Sequence, residues 1–282
     1  MKNLVLVLIT SIFSFSLATD PVLIIHRLGY SCSGDYMTHL INKINSTLNA
    51  YAECIESGGY VTDFVTSILT QSKKLCQSIQ NNSHFQGNFS IVSFSQGGLI
   101  GRYIIEECEM KGTVRRYIAI GTPQRGVAKI PLCFTGVVCY GLQKLSSFLI
   151  YSSFIQNHLG PAGYYVDVLD RDKYLKGSTF LPELNNELTV NEKYKERFSK
   201  LDKVVLMKFN SDTIIYPREG AWFEFIDQQG NLIPLNQSDF YVNDNIGLRR
   251  LMSENKVLFA ESAGNHLMLT EEEENKYIIG CL

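Results

Sequence analysis

Two kinds of hydrophobic spacing alternate along the first half of the chain. Pro21-Val-Leu-Ile-Ile-His26 is a solid apolar run followed by the turn-rich Gly29-Tyr-Ser-Cys-Ser-Gly34, which predicts a buried strand and a loop. Residues 36–48 then carry apolar side chains at helical spacing: Met37, Leu40, Ile41, Ile44 and Leu48. Ala50 to Ile55 predicts a second strand, with Gly58-Gly59 as a turn. Val61 to Ile79 carries the stripe of one long amphipathic helix. Phe89 to Phe94 predicts a strand, Leu99 to Cys108 a helix and Arg116 to Gly121 another strand.

This alternation of short strands and amphipathic helices predicts an α/β class chain, with a mostly parallel sheet covered by helices on both faces. The rhythm breaks over residues 125–200, rich in Tyr, Leu, Ser and Gly, which predicts an inserted helical lid subdomain. Lys203 to Phe209 resumes the sheet, and Lys256 to Ala260 supplies a last strand. Glu271 to Glu274 fits the first turn of a C-terminal helix, where negative charge suits the helix dipole.

The N-terminus changes the picture of where the chain goes. Met1-Lys2-Asn3 is a basic start, Leu4 to Leu17 is mostly apolar, and Ser16-Leu17-Ala18 offers small residues for cleavage. Residues 1–18 therefore predict a secretory signal peptide, leaving 19–282 as one domain with no later transmembrane candidate. The destination is the secretory pathway: lysosome, vacuole or the extracellular space. Seven cysteines suit an oxidising compartment, and their spacing matches no metal site. Asn45, Asn81, Asn88 and Asn236 head glycosylation sequons. The chain is 45% apolar and 19% charged with a net charge of −2, and it has no basic stripe. That balance argues for a globular protein and against a nucleic-acid partner.

Candidate chemistry sits where the strand ending at Phe94 runs into Ser95-Gln96-Gly97-Gly98 and then a helix. A strand–turn–helix around a serine is the context of a nucleophile elbow, and it narrows the fold class to an α/β-hydrolase. Gly97 supplies the small residue two positions after Ser95; Ser93 stands where the pattern prefers Gly. A serine nucleophile needs a base and an orienting acid, in the order Ser, acid, His. Of the two histidines after Ser95, His266 follows the last strand, whereas His158 lies in the irregular insert. Asp212 follows the strand Lys203–Phe209 at the sheet's C-terminal edge, where open α/β sheets bind ligands. Asp202 precedes that strand, and Asp227, Asp239 and Asp244 are less well placed. Backbone N–H groups of Gln96 and Leu28 are the candidate oxyanion donors. His26 reads as a buried strand-end histidine bonded to backbone.

These motifs resemble those of the palmitoyl-protein thioesterases, most nearly the lysosomal type. The matching stretches are Pro21–His26 with Ser31-Cys32, Phe94–Gly98, Met207–Ile214, Pro217, Trp222–Phe225 and Asn265–Thr270. The resemblance implies a triad of Ser95, Asp212 and His266, oxyanion donors Leu28 and Gln96, and disulfides Cys76–Cys108 and Cys133–Cys139. It implies hydrolysis of long-chain acyl thioesters on cysteines of S-acylated proteins, without metal or organic cofactor. An ester lipase of the same fold and an inactive lipid-binding relative are the alternatives. Phe148, Leu149, Phe154 and Ile155 would line the acyl groove, or else form plain helix core. The chain departs from the family at Arg27 and Ser93, both usually Gly, and at Cys32-Ser33, where the family has adjacent cysteines. Cys32 is left to pair with Cys54 or Cys281.

Overall fold

The computed structural model describes residues 19–129 and 147–282, and the side chains of 147 and 148 are not among what it describes. The strands are β1 (Val22–Ile25), β2 (Ala52–Cys54), β3 (Asn88–Phe94), β4 (Thr113–Ile120), β5 (Lys203–Phe209), β6 (Phe225–Ile226), β7 (Leu232–Ile233) and β8 (Val257–Ser262). Six of them form one sheet in the order β2-β1-β3-β4-β5-β8, every pairing parallel. β6 and β7 make a separate antiparallel hairpin that the sequence pattern did not predict.

Successive side chains on a strand face opposite sides, so the solid apolar runs feed two cores. Leu23 and Ile25 of β1 join Val204 and Leu206 of β5 in one core. It is covered by α3 (Ile68–Gln80) and α4 (Gln96–Glu106). Val22, Ile24, Val205 and Met207 face the other, covered by α1 (Asp35–Leu48) and the C-terminal Ile278, Ile279 and Cys281. With helices on both faces and a strand–turn–helix after β3, this is an α/β-hydrolase fold.

The helix expected over 61–79 is two helices, α2 (Tyr60–Val65) and α3. Thr66 is extended at the break and Ser67 caps α3, its hydroxyl accepting from Thr70 N–H. Gln71 Nε2 donates to the carbonyls of Asp63 and Thr66, so the interruption leaves these two acceptors satisfied.

Within 125–200 the described residues form short helices, including Ser153–His158, Arg171–Gly177 and Glu192–Ser199. Val127, Tyr164, Tyr174, Phe180 and Leu184 pack into the same core as α4 and β5. A buried cation ties the segment down. Arg102 of α4 donates to Glu106 Oε1 at 2.8 Å, to the Gln124 carbonyl at 3.1 Å, and to Asn185 Oδ1 and the Leu184 carbonyl at 2.8 Å each. Such a charge is tolerated in a core because nearly every donor has a partner.

Cys76 is bonded to Cys108, joining α3 to the residues after α4, and Cys32 is bonded to Cys54. Among the described residues Cys281 is buried and has no disulfide partner. Cys133 and Cys139 lie outside the described residues, as does the predicted signal segment 1–18. Among the described residues no helix is long and apolar enough to cross a membrane.

Candidate active site

Ser95 stands between β3 and α4 with φ 51° and ψ −124°, a positive-φ backbone that non-glycine residues rarely adopt. The turn is tight enough to dictate its neighbours. A Cβ on Gly97 would come within 2.3 Å of the His26 carbonyl oxygen, and one on Gly98 within 1.8 Å of Thr122 Oγ1. Ser93, where the motif prefers Gly, is fully buried and donates its hydroxyl to the Ile118 carbonyl at 3.1 Å. Its extra atoms bridge β3 to β4 and leave the elbow undisturbed.

The three residues singled out from strand ends meet in space. His266 Nε2 lies 3.0 Å from Ser95 Oγ, and His266 Nδ1 lies 2.7 Å from Asp212 Oδ2. A carboxylate only accepts, so the proton sits on Nδ1 and Nε2 is left to accept from the serine hydroxyl. The other oxygen of Asp212 accepts from the N–H groups of Ile214 at 2.8 Å and Ile215 at 2.9 Å. Two backbone donors thus hold a carboxylate whose side chain is 2% exposed. Gly121 just after β4 leaves room for the imidazole, since a Cβ there would approach His266 Cε1 to 3.3 Å.

Asn265 was not singled out from the sequence. Its Oδ1 accepts from its neighbour His266 N–H at 2.7 Å and from Thr213 N–H at 3.1 Å, coupling the histidine loop to the aspartate loop. Only its position beside His266 hinted at this.

Gln96 is the first residue of α4, so its N–H is one of the helix's unpaired donors, and Leu28 lines the same cavity as Ser95. The loop bearing Leu28 is held from behind: Asp63 accepts from Gly29 N–H at 3.1 Å and Gly59 N–H at 2.9 Å, and Glu56 from Cys32 N–H at 2.6 Å. His26 is buried beside this pair. Its Nδ1 is 2.9 Å from the Arg27 carbonyl oxygen, as expected, and its Nε2 approaches Glu56 Oε2 to 2.9 Å without hydrogen-bond alignment. His26, Cys32 and Glu56 offer atoms close enough for a metal, but Cys32 is spent in its disulfide.

The cavity over Ser95 measures about 370 Å³. Its apolar lining comes from Leu28, Tyr164, Ile214, Ile215, Leu267 and Met268. The groove residues expected from the sequence are elsewhere. Leu149 is 43% and Phe154 69% exposed, with Phe154 stacked on His158 at 4.6 Å, and Ile155 packs against the small cluster of Ile150 and Ala162. None of the three lines this cavity: Leu149 lies on the short helix Ser147–Ile150 and Phe154 and Ile155 on the short helix Ser153–His158, and the Phe148 side chain lies outside the described residues. The four sequon residues Asn45, Asn81, Asn88 and Asn236 are all exposed.

Against known proteins, residues 21–266 match the family model described as palmitoyl protein thioesterase. A palmitoyl-protein thioesterase 3 of Dictyostelium discoideum is 31% identical over 271 residues, covering 94% of this chain and 91% of that one. A palmitoyl-protein thioesterase 1 of Caenorhabditis elegans is 27% identical over 259 residues, covering 88% and 87%. Among solved structures, a monoacylglycerol lipase of Paleococcus ferrophilus aligns with a TM-score of 0.45 at 14% identity, covering 91% of this chain and 89% of that one.

Proposed function

The chain belongs to the palmitoyl-protein thioesterase family and is a hydrolase of thioesters or esters; from that premise we propose that it removes long-chain fatty acyl groups from cysteines of S-acylated proteins through an acyl-enzyme on Ser95. The observation that carries the reading is the hydrogen-bonded chain from Asp212 through His266 to Ser95, ending at an apolar cavity.

In this reading Ser95 Oγ attacks the thioester carbonyl carbon while His266 Nε2 takes its proton. The carbonyl oxygen becomes an oxyanion and is met by the N–H groups of Gln96 and Leu28. Collapse of the tetrahedral adduct breaks the C–S bond, and His266 returns the proton to the departing sulfur. Water then attacks the Ser95 ester with His266 as base, releasing the fatty acid and restoring the hydroxyl. Asp212 stabilises the imidazolium formed in each half. The acyl chain is placed along Tyr164, Ile214, Ile215 and Met268. Export through the secretory pathway to the lysosome or outside the cell is supported by the apolar N-terminus, two disulfides and four exposed sequons.

The deciding experiment is hydrolysis of a palmitoyl-cysteine peptide by the wild type and by Ser95→Ala, with the matched oxygen ester alongside. Thioester turnover lost in Ser95→Ala by several orders of magnitude supports the reading. A wild type that cleaves only the oxygen ester is an ester lipase, and one that neither turns over nor labels with a serine-directed phosphonate is inactive.

A further inference from the structure

Arg27 stands between β1 and the oxyanion candidate Leu28. It is exposed on the wall of the cavity over Ser95. Among the described residues that lining holds one permanent cation and no carboxylate, since Asp212 sits behind His266. Arg27 makes no ion pair among the described residues; its guanidinium rests 4.7 Å from the centre of the Tyr30 ring. The two carboxylates that brace its loop from α2 and from the residues after β2, Asp63 and Glu56, accept from backbone N–H groups of Gly29, Gly59 and Cys32. Arg27 also lines a second pocket of about 200 Å³ with Tyr30, Met37, Phe94 and Leu267. The cation therefore sits where the catalytic cavity meets a neighbouring recess.

The geometry points to Arg27 as a specificity determinant that selects acyl thioesters whose thiol half carries an anionic group, a carboxylate or a phosphate, close to the scissile bond. This deepens the proposed function and rests on it. A planar guanidinium with five donors and no acidic partner gains one by binding such a group, and the ring of Tyr30 keeps it oriented while leaving its edge free. Exposure limits the gain and makes it salt-sensitive.

The test reads binding, so that it stands apart from turnover. Palmitoyl-amide peptides, which cannot be hydrolysed, are titrated against the Ser95→Ala protein with glutamate, glutamine, lysine or phosphoserine next to the acylated position. The glutamate peptide is expected to bind about three- to tenfold tighter than the glutamine one at low salt. The lysine peptide should be weakest, and the differences should shrink toward unity at about 0.5 M salt. The glutamate and phosphoserine arms separate carboxylate from phosphate recognition. Adding Arg27→Gln should abolish the preference, and Arg27→Glu should reverse it. Equal binding of glutamate and glutamine peptides, or a preference that survives Arg27→Gln or high salt, overturns the inference. Should the Arg27 variants not fold, the wild-type side chain's charge preference and its salt dependence still decide. Failure of the wild type to hydrolyse any thioester would sink the thioesterase reading, while the binding ratio would still report on Arg27.

Discussion

Asp212 Oδ2 accepts from His266 Nδ1 at 2.7 Å across 54 residues of chain, and its other oxygen is held by two backbone N–H groups. The acid is thus fixed before any substrate arrives, and it sets which imidazole nitrogen is free to accept from Ser95. Asp212→Asn is expected to lower kcat by about 10⁴, because an amide donor in that place favours the wrong tautomer. Asp202 pairs with Arg115 on the surface and Asp227 orders an exposed turn, so Asp202→Asn and Asp227→Asn should stay within a few-fold of wild type. Steady-state kinetics on one acyl thioester compares the three, and a crippled Asp227→Asn with an active Asp212→Asn would reassign the acid.

Asn265 couples the two loops without touching the reacting atoms, so its loss should act by loosening the histidine. Asn265→Ala is expected to reduce kcat about tenfold to a hundredfold with KM little changed, and to leave global stability within about 1 kcal/mol. A Tm drop of many degrees with normal turnover per folded molecule would make Asn265 a structural residue only.

The three residues that meet in the candidate site were legible because Ser95 directly follows β3 while Asp212 and His266 lie in the loops just after β5 and β8, and strand ends are where an open parallel sheet gathers its loops. Ser95, Asp212 and His266 could be picked by order and by the apolar run preceding each. What escaped depended on particular side-chain contacts and placements that apolar spacing does not encode. The break at Thr66 and Ser67 hides inside a continuous helical stripe, and what stabilises it is the side chain of Gln71. The partner of Cys32 depended on β1 and β2 lying side by side, which spacing alone does not encode. The stripe at 148–155 is amphipathic, and periodicity cannot tell a helix that lines a cleft from one that covers a surface.

The disulfides allow a direct check. Non-reducing peptide mapping should join Cys32 to Cys54 and Cys76 to Cys108, with Cys281 reacting with thiol reagents only after denaturation. Each bridge is worth about 3 kcal/mol by loop closure, so the Cys76→Ser, Cys108→Ser pair should lower Tm by several degrees. A mixed pattern with Cys32 joined to Cys281 would contradict the arrangement after β1.

Glu106 makes stability depend on pH. It is fully buried, and burial pushes its carboxyl up to about 7 against the pull of Arg102. One of its oxygens has no hydrogen-bond partner, which suits a protonated acid. A group whose folded pKa is raised contributes stability that is fully present below its unfolded value near 4.5 and is lost as pH rises through 7. Tm should therefore fall between pH 5 and about pH 7.5, by at most roughly 1.4 kcal/mol of stability per pH unit for one proton. Glu107, raised to about 7 by burial and by Glu106, adds to the same trend. Thermal melts across that range should show a shallower slope in Glu106→Gln, and an unchanged slope would place the linkage elsewhere.

Chain length tests which residues hold the acyl group. Each methylene buried contributes about 0.8 kcal/mol, so lengthening an acyl chain from eight to sixteen carbons could add roughly 6 kcal/mol as an upper bound. Ordering of the chain and competition from micelles remove part of that, so kcat/KM measured below micelle formation should rise by at least about tenfold. The rise belongs in kcat/KM because an apolar wall binds ground state and transition state alike. Ile214 and Met268 line the cavity over Ser95, whereas Phe154 sits exposed on its surface helix. Ile214→Ser and Met268→Ser should therefore flatten the chain-length profile while short-chain turnover persists, and Phe154→Ser should leave the profile as in the wild type. A profile flattened by Phe154→Ser alone would move the acyl site back to the helix at 153–158. A wild type that peaks at acetyl or butyryl would mean the cavity takes no long chain at all.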